Sequence, residues 1–332
     1  MNEPASDSEV TIWTDGPSSG LVEAVIERMQ GAVRVLALGG PRTAEVDRAA
    51  KTLDCPREDD LRKLLVDHPA RWLLLSSSEA PYLAEIAAAM QQGTTVLTLE
   101  PVAQDFAELA SLTGKPGRGD SLLASAPGGL HYLPDFRQSP GFVSAAEPHE
   151  ALDEPRLIAM ECVSTPGTGS LFARLYDAWQ SVLSFADLPE SIDASLISAT
   201  AALPEQLRAA SGRLAAHARL PDGGAVTVLA TDRGATACRR LLVIGENGQL
   251  RVSDASYELH HGSGDLLDSA TLDAPSDPAS LVAGHWQRLI DRPAPPTSRA
   301  MDEQVLACCA ACLLSARTGQ PERPSRLLQM RR

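Results

Sequence analysis

At 332 residues the chain is long enough for two domains, each with its own apolar core. Apolar residues make up 44% and aromatics only 4%, so those cores must be packed mainly by aliphatic side chains. A formal charge of −14 argues against nucleic acid or an anionic membrane surface as a partner. Met1–Glu9 is polar and acidic, unlike a signal peptide, and is expected to be a frayed tail. No apolar run approaches the roughly 20 residues of a membrane span. Six cysteines without framework spacing point to a reducing, cytoplasmic setting.

In chain order, Val10–Trp13 reads as a strand, followed by the turn Asp15-Gly16-Pro17-Ser18-Ser19-Gly20. A helix with Leu21, Val22, Val25, Ile26 and Met29 on one face comes next. Val33–Leu38 is a second strand. Helices follow through Ala44–Leu53 and around Leu61, Leu64 and Leu65. From Arg71 to Ala103 the pattern is strand, loop, helix, strand. Trp72–Leu75 is apolar and ends in Ser76-Ser77-Ser78; Leu83, Ile86 and Met90 recur at helical spacing; Gly93 closes the helix; Thr95–Leu99 is the second strand. Alternation of this kind predicts a parallel α/β sheet of the Rossmann type over residues 10–113. The last strand runs into Glu100-Pro101, and ligands of such sheets lie at the carboxyl ends of the strands.

Gly114–Gly129 is rich in Gly, Pro and Ser and reads as a linker, residues 114–130. Residues 131–332 are expected to form an α+β domain with an open, largely antiparallel sheet. After a helix reaching about Leu152 comes a strand at Leu157–Val163, then a helix carrying Leu171, Leu175, Trp179, Val182 and Leu183. Strands follow at Ile192–Ile197, Leu214–Leu220, Val226–Thr231, Leu241–Ile244 and Leu250–Val252. Pro221-Asp222-Gly223-Gly224 and Glu246-Asn247-Gly248 between them have hairpin chemistry. Leu214–Leu220 alternates, with His217 and Arg219 on the side opposite Leu214, Ala216 and Ala218. One sheet face should therefore be open to solvent or a partner subunit. A final helix, Met301–Ala316, carries Cys308, Cys309 and Cys312 on its apolar stripe. These are read as small core residues, not metal ligands, because no His or acid of ligand spacing is near.

The order of these parts resembles the glucose–fructose oxidoreductase / inositol dehydrogenase (Gfo/Idh/MocA) family, from about Val10 to Met330. The stretches that carry it are Gly93–Ala103, Phe136-Arg137-Gln138-Ser139-Pro140-Gly141-Phe142 and Leu314-Ser315-Ala316-Arg317-Thr318-Gly319-Gln320-Pro321. The resemblance implies a Rossmann domain, a second domain whose open sheet face makes the oligomer interface, and hydride transfer between NAD(P) and a sugar or polyol. If a cofactor binds, it implies Gly16, Ser18, Ser19, Gly20, Gly40, Arg42, Ser76 and Pro101 as the residues around it.

At each motif that performs the chemistry, however, the chain departs from the family. The Gly-rich phosphate turn holds Asp15 and Pro17; proline has no N–H to donate, and Asp15 sets a negative charge near the phosphates. The alternative is an ordinary turn with a serine cap. The second strand ends Leu38-Gly39-Gly40-Pro41-Arg42 without the ribose-binding acid, leaving Arg42 as a partner for a 2′-phosphate of NADP or as a surface arginine. Leu83 stands where the family has a histidine near the nicotinamide. Glu100 takes the place of the Glu-Lys-Pro lysine. At 4 Å a unit charge is worth about 4 kcal/mol at an effective dielectric of 20, so the sign reversal changes that interaction by roughly twice as much. On the second-domain helix the family's Asp, Gly, His and Asp become Ala173, Leu175, Asp177 and Gln180.

An intact scaffold with this many chemical departures leads to the expectation of a non-catalytic homologue, a binding or assembly module that most simply takes no cofactor. The competing expectation is a divergent NAD(P)-dependent oxidoreductase with Glu100 and Asp177 as its catalytic carboxylates. Two carboxylates in one cleft would favour a neutral or cationic small molecule.

Overall fold

The computed structural model describes residues 8–77, 82–113, 128–150, 152, 154–198, 202–273, 276–292 and 298–330. They form two compact units, one ending at Leu133 but regaining Pro278–Arg299, the other made of Pro134–Asp277 and the chain from Ala300. This differs from a single second domain over 131–332. The strand Leu130–Tyr132 completes the first sheet, and the helix Pro278–Asp291 buries Val282, Trp286 and Leu289 in the first unit's core. The expected tail and linker lie mostly outside the described residues. Glu9, expected in the tail, instead opens the first strand and is ion-paired with Arg34.

Six strands form the first unit's sheet: β1 (Glu9–Thr14), β2 (Arg34–Gly39), β3 (Arg57–Glu58), β4 (Trp72–Ser76), β5 (Thr95–Thr98) and β6 (Leu130–Tyr132). Every pairing is parallel, in the order β3-β2-β1-β4-β5-β6. β1 and β4 are buried along their whole length, as strands covered on both faces must be. The connecting helices are α1 (Ser19–Arg28), α2 (Ala44–Thr52), α3 (Leu61–Asp67), α4 (Leu83–Gln91) and α5 (Phe106–Thr113). Val22, Val25 and Ile26 of α1 join Val10 and Ile12 of β1 and Trp72 and Leu74 of β4 in one core. The strand order reverses direction between β1 and β4, so the carboxyl ends of these two strands flank the topological switch point.

In the second unit, α6 (Pro140–Ser144), α7 (Ala146–Glu150) and α8 (Leu171–Val182) accompany an eight-stranded sheet. Its strands are β7 (Leu157–Val163), β8 (Ser191–Ser198), β9 (Gly212–Arg219), β10 (Ala225–Thr231), β11 (Cys238–Ile244), β12 (Gly248–Ser253), β13 (Ser256–His261) and β14 (Leu266–Thr271). All pairings are antiparallel except β7 with β10. Helix α9 is Pro278–Asp291, returned to the first unit, and α10 (Arg299–Thr318) and α11 (Pro324–Met330) end the chain. Helix α8 packs on β7 and β10. The opposite face is open: on β9, Leu214, Ala216 and Ala218 are buried while Arg213, His217 and Arg219 are exposed. Leu229 on the open side is 47% exposed and Ile197 is 69% exposed, both costly to leave in water. A depression of about 420 Å³ on that side is lined by Ala159, Glu161, Thr227, Leu229, Arg240 and Leu242, among others.

One half-buried imidazole makes the first unit sensitive to acid. Burial and neighbouring His285 push His131, on β6, down to about 4 from an ordinary 6.5. The unfolded chain therefore binds the proton more readily, and the stability His131 contributes is full above pH 6.5 and lost as pH falls toward 4. Between pH 7 and 5 this amounts to about 2 kcal/mol. Urea unfolding should show that fall in the natural chain and a correspondingly flatter profile in His131→Gln.

Candidate functional site

Two stretches hold the residues that the sequence singles out, one in each unit. In the first, β1 passes into α1 through Asp15–Ser18. Gly16 adopts φ +90°, a conformation that favours glycine, and the Ser19 amide donates to its carbonyl at 2.9 Å, closing the turn. The Asp15 amide donates to the Ser76 carbonyl at 3.1 Å. Pro17 has no amide to offer. Ser18 is the N-cap residue of α1, yet its hydroxyl makes no cap bond and instead faces Asp15 Oδ1 at 3.5 Å. A side chain at Gly16 would begin 3.1 Å from Thr43 Oγ1 and 3.9 Å from Glu45 Oε2, so a second carboxylate stands at this turn.

At the end of β2, packing explains both glycines. A Cβ at Gly39 would lie 2.6 Å from the Trp13 ring, and one at Gly40 would lie 2.1 Å from the Thr14 carbonyl oxygen. Arg57 Nη2 donates to the Gly40 and Pro41 carbonyls, at 3.3 and 3.0 Å, and Arg57 also pairs with Asp47. Arg42 is engaged by Asp59, whose carboxyl it lowers, first through their hydrogen bond. Thr14 and Ser76, cross-strand neighbours at the switch point, are fully buried, and neither hydroxyl has a hydrogen-bond partner. Glu100 follows β5 half-buried, and Pro101 beside it is buried.

A pyrophosphate needs backbone N–H groups and an uncrowded positive helix start. Here the amides of Asp15 and Ser19 are spent, Pro17 has none, and Asp15 and Glu45 bring negative charge. Each would repel a phosphate charge at 4 Å by about 1 kcal/mol in water, rising to about 4 at an effective dielectric of 20. This donor set does not fit the group that the resemblance implies.

In the second unit, α8 is buried at every residue, including Arg174, Tyr176, Asp177 and Gln180. Ser170 caps it through the Ala173 amide at 3.0 Å. Asp177 Oδ1 accepts from the Phe136 amide at 2.7 Å, and Asp177 Oδ2 accepts from Arg239 Nη1 at 3.0 Å. Arg239, from β11, also donates through Nε to Asp254 Oδ1 at 2.8 Å and through Nη1 to the Pro134 carbonyl; its guanidinium lies 5.2 Å from the Phe136 ring centre. Burial pushes the Asp177 carboxyl up, and Arg239 and then Arg174 oppose that shift. Beside this network Arg137 forks onto Asp135, with Nη2 2.7 Å from Oδ2, and the Tyr176 hydroxyl donates to Asp302 Oδ1 at 2.8 Å. Burial lifts Asp302 to about 6.

No family model matches this sequence, and no curated protein does. Solved structures do match, over nearly their whole length. They include the UDP-N-acetylglucosamine 3-dehydrogenase GnnA from Acidithiobacillus ferrooxidans (TM-score 0.67, 14% identity, 93% of this chain and 98% of that one). An oxidoreductase from Agrobacterium radiobacter in complex with NAD+, L-tartaric acid and magnesium gives 0.71 at 12% identity, covering 97% and 100%. Biliverdin reductase from Synechocystis, in complex with biliverdin and NADP+, gives 0.68 at 13%, covering 93% and 99%. The fold is the one these oxidoreductases share, as the resemblance of the sequence implies. At these identities the likeness concerns architecture, and the chemistry of this chain has to be argued from its own residues.

Several expectations need correcting. Asp177 is not a carboxylate facing an open pocket: it is wholly buried and its charge is matched by Arg239. Its neighbours on α8, Tyr176 and Arg174, are buried with it, and Gly169 at φ +141° leaves room for the Arg174 guanidinium. Of the two readings of Arg42, the structure shows the surface arginine, ion-paired with Asp59. Gly40 serves strand packing. Leu83, on the apolar stripe of α4, is only half-buried. The structure does bring together Gly16, Ser18 and Ser19 at the start of α1, with Ser76 on the neighbouring strand; Gly20 is exposed there with open space around it. Ser78 lies outside the described residues. Cys308, Cys309 and Cys312 are buried thiols, and no metal-binding cluster occurs among the described residues. Sequence reasoning missed Glu45, Arg57, Arg239 and Asp254, which reach these places from other elements. An arginine inside the apolar strand Cys238–Ile244 was the available signal for Arg239.

Removing one member of a buried ion pair strands the other, so Asp177→Ala should cost about 3–5 kcal/mol, read from urea midpoints. Asp177→Asn, which keeps an acceptor for the Phe136 amide, should cost less. Asp302 is raised in the folded chain, so its contribution is greatest below pH 3.8 and is lost as pH rises through 6. Asp302→Asn should therefore gain stability over the natural chain by about 1–2 kcal/mol more at pH 8 than at pH 5.

Proposed function

We propose that this chain uses the two-unit oxidoreductase fold as a non-catalytic binding or assembly module that takes no nicotinamide cofactor. The carrying observation is Asp177. At the place where the resemblance calls for an acid–base histidine stands a buried carboxylate held by Arg239 and the Phe136 amide. A group that donates and accepts a substrate proton must reach it, and this one is fully buried and spends its oxygens on protein donors. Glu100, in the lysine's place, has the wrong charge to stabilise a developing alkoxide. All six cysteines are free thiols, in keeping with a cytoplasmic setting.

The partner is a second copy of the chain, docked on the open side of the eight-stranded sheet. Exposed Leu229 and Ile197 support this, as does the depression beside Leu229. Any small molecule taken by the first unit's strand ends is neutral or cationic, an argument that now rests on Glu100, Asp15 and Glu45. The second reading, a divergent NAD(P)-dependent oxidoreductase acting on a sugar or polyol, is favoured by the NAD+ and NADP+ complexes among the structural neighbours.

Turnover decides between them. The purified chain with NAD+ or NADP+ and a panel of sugars, polyols and sugar acids should give no nicotinamide reduction above a protein-free control. Substrate-dependent reduction lost in Glu100→Ala would establish the oxidoreductase instead. Light scattering over a dilution series should show a dimer or larger assembly, with Leu229→Lys shifting it to monomer at tens of micromolar.

A further inference from the structure

The start of α1 differs from the starts of the helices beside it. Helix α2 is capped by Thr43, whose hydroxyl accepts from the Val46 amide, and carries Glu45 and Asp47 in its first turn. Helix α3 is capped by Asp60, which accepts from the Lys63 amide at 2.8 Å. Helix α1 has no acid in its first turn and no side-chain cap bond. A helix start left this way carries roughly half a positive charge and favours an anion. In a dinucleotide-binding sheet of this topology that anion is the ligand's pyrophosphate.

We propose that α1 carries its own anion: the Asp15 carboxylate takes the phosphate's place and closes the turn to nucleotides. Asp15 directly precedes the turn, is only 7% exposed, and is met by the hydroxyl of the N-cap residue Ser18 at 3.5 Å. The cap hydroxyl thus serves the carboxylate in place of the helix amides. Gly16, at φ +90°, folds the chain back so that its carbonyl takes the Ser19 amide. The Asp15 amide is fixed to β4 through Ser76. Glu45, reaching Gly16 from α2, adds a second negative charge outside the first. Buried beneath, Thr14 and Ser76 keep hydroxyls without hydrogen-bond partners, so the floor under this helix start is polar. Closure by a built-in carboxylate deepens the reading above and concerns the first unit alone. It makes the exclusion of a nucleotide depend chiefly on Asp15, with Glu45 adding to it, and so makes that exclusion reversible.

The test compares the full-length natural chain with Asp15→Asn, Asp15→Gly and Asp15→Gly/Glu45→Gln, each checked for folding by circular dichroism. Unfolding temperature is followed against inorganic pyrophosphate from 0 to about 20 mM, with ionic strength matched by chloride, since a ligand of the folded state raises it by mass action. The natural chain should respond no more to pyrophosphate than to chloride. Asp15→Gly/Glu45→Gln should show a saturable rise, corresponding to at least tenfold tighter pyrophosphate binding, with Asp15→Asn between. If the glycine variants do not fold, Asp15→Asn alone must show the gain. Saturable pyrophosphate or NADPH binding by the natural chain would overturn the proposal, and so would variants as indifferent as the natural chain. Turnover is not measured here, so this proposal and the non-catalytic reading can fail separately.

Discussion

Arg239 ties the second unit together. Its guanidinium gathers the Pro134 carbonyl, where the chain enters this unit, Asp177 of α8 and Asp254 in the tight link between β12 and β13. A guanidinium has five donors in a planar fork and does not give up its proton, so it can satisfy several buried acceptors at once. Dehydrating these charges costs several kcal/mol per ion, and the return depends on every lone pair being met. The Phe136 amide meets the remaining oxygen of Asp177, and the Phe136 ring covers the guanidinium. Close packing follows from this anchoring: Gly141 sits where a Cβ would lie 2.2 Å from the Ser253 carbonyl. In this arrangement both oxygens of Asp177 are taken up by protein donors.

A similar economy governs the first unit. The parallel sheet demands that β1 and β2 lie close, and Gly39 and Gly40 are the residues that allow Trp13 and the Thr14 carbonyl to approach. Arg57 then holds the carbonyls at the end of β2. Glycines and an arginine at this strand end suggest nucleotide recognition when read singly. Together they are spent on one another. At the helix start after β1, likewise, the Asp15 amide is taken by the Ser76 carbonyl and the Ser19 amide by the Gly16 carbonyl.

The two units therefore separate architecture from chemistry. The fold matches that of the oxidoreductase structures compared above, at TM-scores of 0.67–0.71 and only 12–14% identity. A fold survives such divergence because burial needs only apolar residues of suitable size at alternating or helical positions. Hydride transfer needs particular groups at particular atoms, and a single partner drawn from another strand, as Arg239 is for Asp177, redirects such a group.

By itself the sequence determined the elements whose periodicity is strong. The alternation of Leu214–Leu220, the run Trp72–Leu75, the stripe of α1 and the hairpin turns at Asp222-Gly223 and Asn247-Gly248 all appear where pattern and turn chemistry put them. The resemblance carried by its motifs set Asp15, Pro17, Glu100 and Asp177 apart as residues to examine, since order along the chain is enough for that. Short or weakly patterned pieces were decided only in the tertiary structure. β3 has two residues and β6 three, too few for any period, and both exist because a neighbouring strand offers its edge. Helix α9 is amphipathic wherever it lies, so its return to the first unit rests on the fit of Trp286 beside Trp72. The roles of Asp177 and Arg42 were likewise undecidable along the chain. A charge's meaning is set by what lies a few ångströms away, and Arg239 and Asp59 arrive from 62 and 17 residues distant.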